Sequence, residues 1–278
     1  VNSCDALDVK TTPADGSASD NSTMSDMASE EKTVRKLYQD EDVAKQYIAN
    51  RIKYTWWRHL HQVQVAAVNR AVALEDVHDV LEVAPGPARI TTEVVGVGRG
   101  TMVEASPQMI EVARQRLADA GKDTVWDLRE GNAFDLSDLN SSYDLAYTFR
   151  FIRHFQTPER QRFYQQIHER LRPGGLFLFD VVNARVRQQL DSVAGAGSEG
   201  LKVYDVTYHS PQEIIAELAP CGFEPVSVTG VLNHFHFQSW LSHKFDDRFP
   251  KAMELAIRQL ERIGSDHPLE WVGLFRKV

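Results

Sequence analysis

Two carboxylates, Glu82 and Glu104, sit where short apolar runs end, and their placement implies chemistry before any fold is assigned. Val80-Leu81-Glu82-Val83 reads as a buried strand that enters the tight turn Ala84-Pro85-Gly86-Pro87-Ala88, and Thr101-Met102-Val103 reads as a second strand ending in Glu104. A turn of small residues lets backbone N–H groups approach a ligand closely. A carboxylate at the tip of the next strand can accept hydrogen bonds from both hydroxyls of a ribose. The pattern therefore suits a cofactor built on a nucleoside. It fits a dinucleotide poorly, because the three glycine positions of that fingerprint would be Ala84, Gly86 and Arg89, and arginine in the third place obstructs close packing of helix on strand. A Walker loop is absent, since no Gly-Lys-Ser/Thr occurs.

Around this pair the chain alternates between helical and extended patterns. Helices are expected over 31–50 and 55–74, the second with Leu60, Val63, Ala67, Val68 and Ala71 at helical spacing. Strand 80–83 leads to a short helix near 88–95, and strand 101–104 to a helix at 107–120 that opens on Ser106-Pro107 and closes at Gly121. Strands follow at 124–128 and 144–149. Thr157-Pro158 opens a capped helix with Phe163, Ile167 and Leu171 on one face, and this helix stops at Pro173-Gly174-Gly175. The run 176–182 is apolar on both faces, as a central strand of a parallel sheet requires. An irregular stretch at 183–201, a strand near 202–208, a helix at 211–219, a strand at 224–231, a helical segment at 235–263 and a strand at 270–277 complete the order. Such alternation predicts a doubly wound α/β fold with a mostly parallel sheet.

Composition narrows the class further. Residues 1–31 carry seven acids against the single base Lys10, six of the chain's eight net negative charges, and 1–30 hold too little apolar surface to fold, so they read as a disordered acidic tail. The remainder is nearly neutral, which gives no field to hold a polyanion and argues against nucleic acid as partner. No run approaches the roughly 20 apolar residues of a membrane span, and the first thirty residues lack the apolar core of a signal peptide. Cys4 and Cys221 are far apart without metal-type spacing, consistent with a reducing cytoplasm. His234 and His236 would share a face if their segment were extended, but a metal site would need a third ligand such as His243 or Asp246, and a pocket-wall role is more economical. No metal is expected.

Six blocks in order resemble the class I S-adenosylmethionine-dependent methyltransferases across about residues 35–278. They are Val80–Ala88, Val103-Glu104-Ala105-Ser106-Pro107-Gln108-Met109, Glu130-Gly131-Asn132-Ala133-Phe134, the fourth-strand stretch from Tyr143 to Phe155, Leu171-Arg172-Pro173-Gly174-Gly175, and Cys221-Gly222-Phe223. The resemblance implies a Rossmann-like seven-stranded sheet over 31–278. It also implies an N-terminal helical lid at 31–75, cap segments at 183–203 and 232–265, and S-adenosyl-L-methionine as cofactor. Carried over residue by residue, it places Glu82 near the cofactor's amino group, Ala84, Pro85 and Gly86 along its methionine portion, and Glu104 on the ribose with Ala105 and Ser106 beside it. Met109, Asn132, Ala133 and Phe134 fall at the adenine, Thr148 and Phe149 near the methyl group, and Tyr47 and Arg51 at the carboxylate end. Plainer readings stand beside these: a helix-capping Glu82, a Met109 that fills the core, and Tyr47 and Arg51 as helix packing.

The departures from the family pattern carry expectations of their own. Ala84 and Ala88 replace two of three loop glycines, which costs little only if both avoid positive φ, and Asn132 stands in place of the usual aspartate. Methyl transfer from a sulfonium is an in-line displacement, so alignment and exclusion of water supply most of the rate, with a base needed only for a protonated nucleophile. His154, just past the fourth strand, is the candidate base, and Arg150 with Arg153 could hold an acidic substrate, although Arg153 reads equally as a solvated face. No Asn-Pro-Pro-Tyr-type tetrad follows that strand, so a nucleic-acid base is not the expected acceptor. The expected activity is methylation of a small molecule at oxygen or nitrogen, less readily at carbon. The alternatives are a non-catalytic binding module on the same fold and a nicotinamide-dependent oxidoreductase.

Overall fold

A computed structural model describes residues 54–74, 77–139, 142–186, 188, 208–265 and 267–278. The expected helix at 31–50, most of the strand near 202–208, and the candidates Tyr47 and Arg51 lie outside the described residues. The elements are α1 (Thr55–Leu74), β1 (Asp79–Val83), β2 (Arg99–Glu104), α2 (Pro107–Asp119), β3 (Trp126–Glu130), β4 (Tyr143–Thr148), α3 (Thr157–Arg170), β5 (Leu171–Val182), α4 (Pro211–Leu218), β6 (Phe223–Val231), α5 (Phe235–Phe245), α6 (Pro250–Glu261) and β7 (Glu270–Lys277).

The seven strands form one sheet in the order β3-β2-β1-β4-β5-β7-β6. All neighbours from β3 to β5 are parallel, whereas β7 runs antiparallel to both β5 and β6. An antiparallel strand inserted beside β5 departs from the wholly parallel 3-2-1-4-5-6 order of dinucleotide-binding sheets, so the topology gives the nicotinamide reading no support. Two apolar clusters cover the two faces. One joins α1 (Leu60, Val68, Ala71), α2 (Ala113, Leu117) and Ile257 of α6 to the sheet, and the other joins α3 (Phe163, Tyr164, Ile167) and α4 (Ile214, Leu218) to it. Alternation along β1 sorts its side chains: Val80 joins the α1 face, Leu81 and Val83 the α3 face. Glu82 is therefore held on the α1 face, inside the protein.

Several local expectations need correction. The helix near 88–95 is only a turn followed by the single 3-10 turn Thr91–Glu93, within the stretch that leaves β1 at Val83 and rejoins the sheet at Arg99. β3 starts two residues later than expected, at Trp126. The cap of α3 is Gln156, not Thr157: its side chain takes the Glu159 N–H while Glu159 answers to the Gln156 N–H, a reciprocal box that satisfies two end donors. The segment 235–263 is two helices broken before Pro250, and His236 lies within the first, so His234 and His236 do not form an extended same-face pair. Ser106 caps α2 as anticipated, accepting from the Met109 N–H.

The turn after β1 holds the main surprise. Ala84, Gly86 and Ala88 have φ of 55°, 56° and 54°, so both alanines occupy the left-handed region that the sequence reading required them to avoid. The loop keeps the backbone path of a glycine loop and bears strain of about 1–2 kcal/mol at each alanine. Ala84 is half-buried and gives the cleaner test. Ala84→Gly is expected to raise stability by about 0.5–1 kcal/mol, the relieved strain less the extra chain entropy of glycine. A higher urea midpoint at unchanged slope checks it; an equal or lower midpoint means the alanine is unstrained.

Candidate functional site

The carboxyl ends of β1, β2 and β4 open into a cleft that is continuous with solvent. This is the end of a doubly wound sheet where ligands bind. Glu82, Ala84, Pro85, Gly86, Glu104, Ala105, Ser106, Met109, Asn132, Ala133, Phe134, Phe149, Arg150 and His154 all line it. Thr148 does not: it is buried, and its hydroxyl has no hydrogen-bond partner among the described residues. As the last residue of β4 it points to the opposite side from Phe149. Sequence reasoning overlooked Arg89, Ile90, Phe151 and Phe155, which also face the cleft. Phe151 and Phe155 lay within the fourth-strand block, and Arg89 was weighed only as a misplaced glycine.

Glu104 is fastened in place. Its Oε2 accepts from the Gly86 N–H at 2.9 Å, and its Oε1 accepts from the N–H groups of Ala105 and Ser106, each at 2.9 Å. Burial pushes its carboxyl pKa up, while the three N–H donors pull it back down. The turn after β1 and the tip of β2 are thus tied into one cradle.

Glu82 occupies the floor beside it. Its register partner on β4 is Tyr147, whose hydroxyl donates to Glu82 Oε2 at 2.9 Å, and the Thr91 hydroxyl donates to the same oxygen. Burial pushes the Glu82 carboxyl up to about 7 despite these bonds and the nearby Arg89. Glu82 caps no helix. Arg89 itself reaches α1, where its guanidinium meets Gln64 Oε1 at 2.7 Å and the ring of His61.

On the far wall, Arg150 has a positive φ of 63° and its N–H donates to Asp180 Oδ1 at 2.6 Å. Its guanidinium lies over the Trp57 ring at 4.9 Å and 3.6 Å from Glu270 Oε1. Arg153 is not a solvated face. It is buried, with bonds of 2.7 Å to Asp180 Oδ2 and 2.8 Å to Glu270 Oε1. Gln64 of α1 donates to that same Asp180 oxygen at 2.9 Å. His154 is buried in the 3-10 turn Ile152–His154, next to Phe155. Among the described residues no cluster of three His, Cys, Asp or Glu side chains could hold a metal ion, and no helix is long and apolar enough to cross a membrane. His234 bonds the Ile263 carbonyl instead of facing His236.

Residues 80–175 match the family described as the methyltransferase domain, a span that begins at β1 and ends inside β5. Over those residues the chain is similar to a methyltransferase domain. Solved structures share its fold. DhpI in a complex with SAH is 19% identical over 89% of this chain and 96% of that one, with a TM-score of 0.56. Magnesium protoporphyrin IX methyltransferase from Synechocystis PCC 6803 with bound SAH is 9% identical over 81% and 86%, also at 0.56. The 4+2 cyclase SpnF is 18% identical over 80% and 82%, at 0.56. At these identities the likeness concerns the fold, and the cyclase shows that methyltransferase architecture serves other reactions too. No curated protein matches the chain in sequence.

Proposed function

We propose that this methyltransferase domain transfers the methyl group of S-adenosylmethionine to a small-molecule acceptor, at oxygen or nitrogen in preference to carbon. The observation that supports this most is the joining of Gly86 and Glu104 across 2.9 Å at the mouth of β1 and β2, a small-residue turn and a carboxylate presented together. The residues fit the cofactor. A Cβ built on Gly86 would meet nothing within 4 Å, so the turn leaves open space for a ligand, and Met109 and Phe134 supply apolar surface for a purine. A carboxylate offers about four acceptor positions, of which the N–H groups of Gly86, Ala105 and Ser106 use three. Oε2, which among the described residues accepts only from Gly86, keeps a position open for one ribose hydroxyl, and a second hydroxyl on Oε1 takes the place of the bond from Ala105 or Ser106. Asn132 Oδ1 accepts from the Phe134 N–H at 3.0 Å, which orients its amide beside the adenine position.

When bound, S-adenosylmethionine supplies a methyl group made electrophilic by the sulfonium. The chain's part is to align and to dry the site. Phe149, Phe151 and Phe155 wall the acceptor side, with Phe151 and Phe155 ring centroids 4.8 Å apart, and exclude water there. Arg150 presents a cation to an acidic group on the acceptor, and His154 takes the proton of a protonated nucleophile. Neither role needs a metal.

Calorimetric titration with S-adenosylmethionine tests the reading directly: no binding removes it and leaves the non-catalytic module. Glu104→Ala is expected to weaken binding by about 1–3 kcal/mol, the range for losing charged hydrogen bonds. An unchanged dissociation constant would show that the ribose lies elsewhere. Because the three N–H donors are orphaned in that variant, Glu104→Gln serves as a milder companion, and circular dichroism confirms that both remain folded.

A further inference from the structure

We propose that the acceptor recognised by this cleft is an aromatic acid, a planar ring seated against Phe151 whose carboxylate pairs with the Arg150 guanidinium. The inference rests on the transfer reading given above and deepens it by naming the acceptor's chemical class.

Different parts of the fold build the two contacts. Phe151 is half-buried and lines the cleft, while the rings packed around it, Phe134, Phe155 and Phe163, are buried. Its ring centroid stands 5.9 Å from that of Phe134, 4.8 Å from Phe155 and 5.0 Å from Phe163, all at tilted or T-shaped angles. A ring wedged by three others has lost its rotamer freedom in advance, so a flat ligand meets a wall that costs little to order. Aromatic pairs in offset or edge contact gain beyond the area they bury, and a saturated ligand of equal size does not.

Arg150 is set in place beforehand too. Its φ of 63° is a conformation arginine seldom adopts, and Asp180 pins it by accepting the Arg150 N–H at 2.6 Å. Strain of this kind is kept where a site uses it. The guanidinium lies over the Trp57 ring at 4.9 Å, which steadies a planar fork of the shape that matches a carboxylate. Glu270 is held by Arg153 at 2.8 Å and lies 3.6 Å from Arg150, whose five N–H donors can serve a second acid. The charge pattern agrees. Glu82 and Glu104 stand near the ends of β1 and β2, so an anionic acceptor is repelled there and drawn to the β4 end, where Arg150 lies.

Calorimetric titration of the full chain saturated with S-adenosylhomocysteine tests this, because that ligand fills the donor end without offering a methyl group. The probes are para-hydroxybenzoate, its saturated analogue hydroxycyclohexanecarboxylate, its uncharged analogue para-hydroxybenzamide, and the aromatic amine tyramine. Para-hydroxybenzoate is expected to bind tightest, about two- to tenfold above the saturated analogue and about tenfold or more above the amide. Tyramine should bind weakest. Phe151→Leu should erase the first ratio and keep the second, and Arg150→Gln should do the opposite. Because Arg150 stands beside the buried Glu270, Trp57→Leu gives a second route: it removes the platform under the guanidinium and should lower the acid-over-amide ratio without touching a residue that lines the cleft. Equal binding of the saturated analogue overturns the inference, and so does tighter binding of tyramine. Binding of S-adenosylhomocysteine with none of the probes overturns it while the donor reading stands. A chain that does not bind S-adenosylhomocysteine removes both readings together.

Discussion

Arg153→Met is expected to destabilise the protein by about 3–5 kcal/mol, the cost of leaving buried charges without their partner. Arg153 bonds Asp180 at 2.7 Å and Glu270 at 2.8 Å, and all three side chains are almost wholly buried. Without its guanidinium, two carboxylates would share one interior site, with Arg150 at 3.6 Å from Glu270 in partial compensation. Burial already pushes the Asp180 carboxyl up to about 6, with Arg153 holding it down and Glu270 pushing it up. In the variant Asp180 rises further. A carboxyl whose folded pKa lies above its unfolded value contributes stability that is complete below the unfolded value and is lost as pH rises through the folded one. The deficit should therefore be largest near pH 8 and shrink toward pH 5, where the freed carboxyl is protonated. Urea unfolding at the two pH values measures it. A loss below 1 kcal/mol at pH 8, or one independent of pH, would mean that this cluster does not depend on Arg153. The damage should also reach the cleft, because Asp180 anchors the N–H of Arg150 at its positive φ.

Glu82→Gln should do the reverse at neutral and alkaline pH. The wild-type carboxyl is raised from 4.5 to about 7 by burial, so its favourable contribution is fully present below about 4.5 and gone above about 7. Glutamine does not titrate. The variant should match the wild type near pH 4.5 and exceed it by up to about 3 kcal/mol at pH 8, from 1.36 kcal/mol per pKa unit. The Thr91 and Tyr147 hydroxyls can turn to suit the amide, so no buried donor is stranded. Thermal unfolding at pH 5 and pH 8 checks the divergence, and parallel stability curves would show that Glu82 is ionised throughout. A buried acid that lowers stability at working pH is retained for use, and the same substitution should weaken donor binding. Stability and affinity moving in opposite directions is the pattern of a functional carboxylate.

The order of strands and helices was legible because each element announces itself locally. The unbroken apolar run before Asp180, the Ser106-Pro107 start of α2 and the Gly121 stop all act within a few residues. The lining of the cleft was legible for a related reason. Once β1, β2 and β4 are parallel neighbours, the residues following each must converge at one end of the sheet, which places Gly86, Glu104 and Arg150 together. Glu82 and Glu104 were thus found from chain position alone.

Other features depend on partners distant in sequence. Nothing near Arg153 says that it is buried, because Asp180 and Glu270 come from β5 and β7, 27 and 117 residues away. The failure of Thr148 as a cleft residue, against the success of Phe149 next to it, turns on which face of β4 each side chain takes at the strand end. Alanine at 84 and 88 was to cost little only if both avoided positive φ, and both adopt it, on either side of the Gly86 N–H that bonds Glu104 at 2.9 Å. Local residue types determine where strands begin and end and which acids stand at their tips. The assembled sheet decides which of those acids are dry, which are paired and which are left facing a ligand, since solvation and charge pairing are set by neighbours in space.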